Sequence, residues 1–255
     1  RMLIAGVLMF GFIKIKKISL VVPLKSILKF FLAGIIIALH WITFFAAIKV
    51  SNISLTLAMF STGAFFASLI EPIFYRRKII PYEIIFGLLV IAGVFIIMQT
   101  EIKYLMGICL GIASALFSSL FAVINGKFVA HHNASTISFY EFISGVFFIS
   151  LFIAFSNDGF DASFFKLSIA DWFYLGILAS VCTAYAFIAS VYVMRYISPY
   201  SVVLSYNLEP IYGIFLALVL FPQSEVMQPI FYIGAALIIC TVIMNAWVKH
   251  KIGKI

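Results

Sequence analysis

Long apolar runs fill this chain from end to end, and short clusters of charged, proline, asparagine or serine positions part them. A helix needs about 20 mostly apolar residues to cross the hydrocarbon of a bilayer. On that measure the pattern predicts spans near residues 2–13, 28–48, 54–74, 82–99, 104–125, 135–155, 172–194, 199–221 and 229–247. Only the connection at 156–171 is long enough to hold an appreciable loop or interfacial segment, so there is no room for a soluble domain. The opening span is short and starts on Arg1, which leads to the expectation that the sequence begins inside a helix.

Composition agrees with that pattern. The chain is 65% hydrophobic and 10% charged, whereas soluble domains run at roughly 45–50% apolar and 25% charged. The expected class is therefore an all-α polytopic membrane protein, with the lipid bilayer as its solvent. A net charge of +8 would suggest nucleic acid in a soluble chain, but here its distribution among the loops is the informative quantity, and no nucleic-acid partner follows. Thirteen Lys and Arg fall on one side of the predicted spans, while Arg1, Lys49, Lys103 and Lys166 fall on the other. The positive-inside rule then puts the basic side and the C-terminus in the cytoplasm, the protein being multi-pass in the cytoplasmic membrane. Cys109, Cys182 and Cys240 sit in apolar runs without ligand spacing and read as packing residues. Neither a disulfide, a metal site nor a cofactor is implied.

An internal repeat is visible. "AGIIIALHWITFFAAIKVSNIS" (33–54) lies over "ASVCTAYAFIASVYVMRYISPY" (179–200) at an offset of 146, matching Ala33 with Ala179, Ala38 with Ala184, Ile42 with Ile188 and Lys49 with Arg195. One further residue of offset lays 82–98 over 229–245 and Gly87 over Gly234. The second, third and fourth spans thus pair with the seventh, eighth and ninth, and the first with the sixth. The fifth has no partner. Two copies of a five-helix unit, at 1–99 and 104–249, account for this if the first helix of the first copy is missing: nine visible helices of a ten-helix inverted repeat. Because five is odd, the copies would have opposite topology, as in many secondary transporters.

Three stretches, "HWITFFAAIKVSNISLTLAM" (40–59), "EPIFYRRK" (71–78) and "RYISPYSVVLSYNLEPIYGIF" (195–215), resemble the drug/metabolite transporter superfamily, in particular its EamA-like family. The resemblance covers essentially the whole chain. It implies ten helices in two inverted five-helix units and export of small metabolites, often amino acids or related compounds, from the cytoplasm. The chain departs from the family in its absent first helix and in lacking a proline near Gly63.

Candidate chemistry centres on Glu209. It lies about 16 Å along the eighth span at helical rise, where a carboxylate costs about 2.5–3.5 kcal/mol on insertion scales. Pro210 behind it predicts a kink and a carbonyl without its usual donor. Such residues usually face a cavity and mark a substrate or proton path. Ser205 and Tyr206 share the face of Glu209, and Asn207 is the less certain member. His40, followed by Trp41, lies at similar depth in the second span, and Tyr185 offers an aromatic surface on the seventh. These residues are the candidate substrate-binding set for a small molecule. Two bland readings stay beside them: Glu209 as a buried structural acceptor, and His40 as a donor to a neighbouring helix. Arg1 and Glu141 occupy equivalent places in the repeat and are candidates for gating, or for snorkelling to the nearer interface. Glu71 and Pro72 are not the counterparts of Glu209 and Pro210, which fall opposite Gly63 and Ala64; Glu71 reads as an interfacial partner of Arg76, Arg77 or Lys78, a kind of pair that contributes little.

Gly107, Gly111 and Ala115 form a small-residue seam on the fifth span, read as packing within the bundle or as a homodimer contact. The fifth span carries no acid, so proton coupling through a first-helix carboxylate has no support here, with His40 or Glu209 as substitutes. The rival classes are an intramembrane enzyme and a non-transporting receptor or channel. No HExxH, no GxSxG and no paired acids at catalytic spacing occur, and "HHNAS" (131–135) reads as a short cytoplasmic turn without partners. The reading that results is a secondary transporter, an exporter of small organic metabolites working by alternating access, and not an enzyme.

Overall fold

Helix starts follow the local chemistry of the sequence. Asn52 accepts from Leu55 N at 2.9 Å to open one helix, Asn133 accepts from Ser135 N at 2.9 Å to open another, and Ser168 with Asp171 forms a reciprocal capping box for a third. Each satisfies backbone donors that a helix leaves unbonded in its first turn. Pro81, Pro199, Pro222 and Pro229 stand at first helical positions, where the missing N–H costs nothing.

The computed structural model describes residues 1–156, 159–160, 166–206 and 208–252, and these are helical wherever they are regular. The helices are α1 (Met2–Ile15), α2 (Leu24–Val50), α3 (Ile53–Phe60), α4 (Gly63–Tyr75), α5 (Pro81–Thr100), α6 (Leu105–Phe128), α7 (Ala134–Phe155), α8 (Ile169–Ala179), α9 (Ala186–Val193), α10 (Pro199–Tyr206), α11 (Glu209–Leu220), α12 (Pro222–Glu225) and α13 (Pro229–Ile252). A π-helical turn, Ser180–Tyr185, joins α8 to α9. The nine predicted segments fall on these elements, the third divided between α3 and α4, the seventh between α8 and α9 across the π-helical turn, and the eighth between α10 and α11. Six stretches are long and apolar enough to cross a membrane, with Met2–Ile15, Glu209–Leu220 and Pro229–Asn245 as shorter apolar helices. Large side chains such as Ile85, Phe95, Phe147, Phe215 and Val219 are exposed along them, as expected where lipid replaces water. The protein is a multi-pass membrane protein.

The chain forms two compact units, each drawn from both halves of the sequence. The first comprises Arg1–Ala38 and Ile124–Tyr196. In it α1 packs on α7 and on the π-helical turn, Phe142 of α7 meets Phe187 of α9 edge-on at 4.6 Å, and Gly34 brings the backbone of α2 against that of α7 at Glu141.

The second unit comprises Leu39–Val123 and Ile197–Ile255. Here α5 and α13 run antiparallel and cross at Gly93 and Gly234; a Cβ on Gly93 would lie 3.0 Å from Gly234 O, and one on Gly234 2.9 Å from Gly93 O. Only glycine permits that approach. Antiparallel packing also sets α3 against α11 and α4 against α10. The seam of α6 lies along α3 and its approach, with Gly107 against Ser51, Gly111 against Met59, and Ala115 fully buried. It is filled from within the chain, which leaves no face there for a dimer contact.

Candidate functional site

Two membrane spans of the second unit are broken, and the offset of 146 relates the breaks. It carries Ile53, the first residue of α3, to Pro199, the first of α10; Phe60, the last of α3, to Tyr206, the last of α10; and Gly63, the first of α4, to Glu209, the first of α11. In the first break Ser61 Oγ donates to Leu57 O at 3.2 Å and Thr62 Oγ1 to Met59 O at 2.7 Å, adding side-chain bonds to carbonyls that the backbone N–H groups of the same two residues also reach. Both residues are buried. Ser119 of α6 closes the site by donating to Gly63 O at 2.8 Å.

The second break has a different cause. Pro210 has no N–H to give to the carbonyl of Tyr206, and the chain turns through Leu208, whose N–H bonds Ser205 O at 3.1 Å, before α11 begins. Pro210 itself is buried, while Ser205, Leu208 and Glu209 are exposed and Tyr206 is half-buried. Glu209 stands in the first turn of α11, where the helix dipole favours a negative charge. An exposed carboxylate thus lies near the middle of an apolar span, at the junction of two half-helices. Asn207 lies outside the described residues.

Acids hold the outer ends of both broken spans, and they do so reciprocally. Glu225, after α11, accepts from Ile53 N at 3.1 Å and Ser54 N at 2.8 Å, capping α3. Glu71, near the end of α4, accepts from Tyr200 N at 2.7 Å, capping α10. The offset of 146 that pairs α3 with α10 takes Ser54 to Tyr200. Glu101 treats α13 similarly, accepting from Gln228 N at 3.3 Å. A carboxylate at a helix N-terminus satisfies orphan donors and complements the dipole together. The interfacial role expected of Glu71 is therefore only part of the picture. Its Oε1 does pair with Arg77 Nε at 3.2 Å, but the residue is buried, and Arg77 also reaches buried Glu83 at 3.3 Å.

The remaining candidates spread over both units. His40 is buried, with Nδ1 3.0 Å from Ser114 O and 2.8 Å from Ser114 Oγ, and Phe44 and Phe60 against its ring. That arrangement is the interhelical bond weighed for it in the sequence. Trp41 is half-buried. His40, Trp41, Ser205, Tyr206 and Glu209 all belong to the second unit, whereas Tyr185, Arg1 and Glu141 belong to the first. Tyr185 ends the π-helical turn and is 72% exposed. Arg1 Nε donates to Thr183 Oγ1 at 2.7 Å, and Glu141 Oε1 accepts from Asn125 Nδ2 at 2.8 Å.

Two expectations need correction. The cysteines Cys109, Cys182 and Cys240 are exposed thiols, not packing residues, because each falls on the outward face of its helix. The 131–135 turn is not without partners: His132 Nε2 lies 3.2 Å from Ser26 Oγ, and Arg195 donates to Val129 O and His132 O at 3.1 Å each. Among the described residues no cluster of three or more His, Cys, Asp or Glu side chains could hold a metal ion. Ser114, Asn125 and Glu225 were missed in the sequence, since each is one polar residue at a span end or inside an apolar run, and its partner is far along the chain.

The sequence profile of the EamA-like transporter family matches residues 1–99 and 105–247. One crystal structure shares the fold with a TM-score of 0.67 at 14% identity, over 94% of this chain and 83% of that one. No curated protein matches.

Proposed function

Since the chain belongs to the EamA-like transporter family, we propose that it is a secondary transporter that exports small organic metabolites, amino acids or related compounds, by alternating access across the cytoplasmic membrane. The observation that carries this reading is the exposed carboxylate of Glu209 at the start of α11, midway along an apolar span. Half-helix junctions serve transporters as binding sites because they present backbone and side-chain groups at membrane depth. At this junction the exposed Glu209 carboxylate is a negatively charged acceptor, which suits the ammonium group of an amino acid or amine. Ser205 Oγ donates to Ser201 O at 3.0 Å and keeps lone pairs for the same ligand. Tyr206 supplies an aromatic wall, and His40 and Trp41 of the same unit extend the candidate set.

The matching ends of α3 with α10 and of α4 with α11, and the antiparallel packing of these partners, support two inverted five-helix repeats at 1–99 and 104–249. The excess of Lys and Arg on one side supports a cytoplasmic C-terminus. Counterflow of labelled amino acids, aromatic amines and related metabolites into proteoliposomes tests the reading. Saturable exchange of an amine-bearing compound is expected; absence of flux for the whole panel by folded protein would overturn it.

A further inference from the structure

Glu141 differs from the other buried acids described above in having neither a helix start to cap nor a cation beside it. Glu71 and Glu83 share Arg77, and Glu71, Glu101 and Glu225 accept backbone N–H groups. Glu141 is 0% exposed. Its Oε1 accepts a single bond from the Asn125 amide, and its Oε2 has no hydrogen-bond partner. One turn earlier on the same face of α7, Ser138 is also fully buried, with its hydroxyl unbonded. Native structures leave few such atoms, and each calls for an explanation.

Among the described residues no ion pair to Glu141 is found. From α2 the backbone of Gly34 faces Glu141; α1 brings Met2 and Gly6 to Gly145 and Phe142; α9 brings Phe187 to Phe142. The titratable and charged side chains of these elements are engaged elsewhere or turned outward. Arg1 bonds Thr183, His132 bonds Ser26 and Tyr140 donates to Leu20 O, while Lys14, Lys25, Lys29 and Lys127 are exposed. A carboxylate placed in this setting needs a positive partner. The one that fits against Oε2 is a proton.

We propose that Glu141 is a proton-binding site whose occupancy is coupled to substrate flux; the coupling, though not the site, rests on the transporter reading. Binding forms one O–H bond on Oε2, neutralises the carboxylate and converts that oxygen from acceptor to donor. Release returns the proton to water on the opposite side of the membrane, against the movement of substrate. No redox partner or leaving group is involved.

Infrared titration of the full chain in lipid nanodiscs reads the site directly. The C=O stretch of a protonated carboxyl group is expected in the unaltered protein and in Glu209→Gln, and is lost in Glu141→Gln. Should Glu141→Gln fail to fold, Asn125→Ala removes the amide bonded to this carboxyl and is expected to move the same band in frequency. No band at any pH, or a band unchanged by both substitutions, would overturn the site. In proteoliposomes Glu141→Gln is expected to exchange substrate and to lose accumulation driven by a pH gradient; accumulation equal to that of the unaltered chain would overturn the coupling. A chain that moves no substrate would sink the transporter reading and leave the infrared result standing.

Discussion

The broken spans α3/α4 and α10/α11 divide at positions 146 residues apart, yet they are finished in opposite ways. At the first, the Ser61 and Thr62 hydroxyls bond the carbonyls of Leu57 and Met59, Ser119 bonds Gly63 O, and everything is buried. At the second, a proline makes the break, and an exposed carboxylate stands where the first has Gly63. Interruption of a membrane helix is therefore not in itself a sign of a binding site. The two breaks differ in what stands at them: buried hydroxyls at the first, an exposed carboxylate at the second.

Exchanging the two finishes should expose that difference, and the largest effect is expected at Gly63. A Cβ there would lie 3.2 Å from Ser119 Oγ and 3.4 Å from Val203. Gly63→Glu drives a carboxylate into that seam without a cation and should destabilise by about 3–5 kcal/mol, the usual consequence of an uncompensated buried charge. Thermal unfolding in detergent would read it, beside Glu209→Gly, for which nearly unchanged unfolding is expected. Equal tolerance of the two would end the comparison.

Next in size come the acids that hold both spans in place. Glu225→Ala leaves Ile53 N and Ser54 N without their acceptor and is expected to cost about 2 kcal/mol, at the upper end for a lost cap. Glu225→Gln should recover part of that in the same assay. Ser119→Ala removes one neutral hydrogen bond to the sealed break, at about 1 kcal/mol. Smallest in stability is Pro210→Ala, which returns an N–H to the Tyr206 carbonyl and should change stability by less than about 1 kcal/mol, while lowering flux by straightening the junction. If Pro210→Ala transported normally, the shape of the second break would have no part in recognition.

How much of this could be read from the sequence differed with the kind of contact involved. Span positions were legible because crossing a bilayer fixes the length of an apolar run. The second break was legible too, through Pro210; the first was not, because Ser61, Thr62 and Gly63 pass unnoticed in an apolar helix. Glu71 read as an interfacial charge, since nothing near it in the sequence reveals that the start of α10 lies opposite, 129 positions away. Asn125 likewise gave no sign of its bond to Glu141, although only 16 positions separate them. The seam of Gly107, Gly111 and Ala115 announced close packing through its four-residue spacing but not which helix would fill it. For the cysteines, an apolar run does not say which face of a helix is covered. Local chemistry could be read, and pairings between distant elements could not.

The central claim is that the exposed break at Glu209 recognises substrate. Counterflow by Glu209→Gln, measured beside the unaltered chain with the compound it moves best, tests this most directly. The account predicts that Glu209→Gln elutes and unfolds like the unaltered protein and loses flux at least about tenfold, since a lost charge-assisted bond is worth roughly 1.5–3 kcal/mol. Undiminished flux with the same apparent affinity would contradict it and return Glu209 to a structural role.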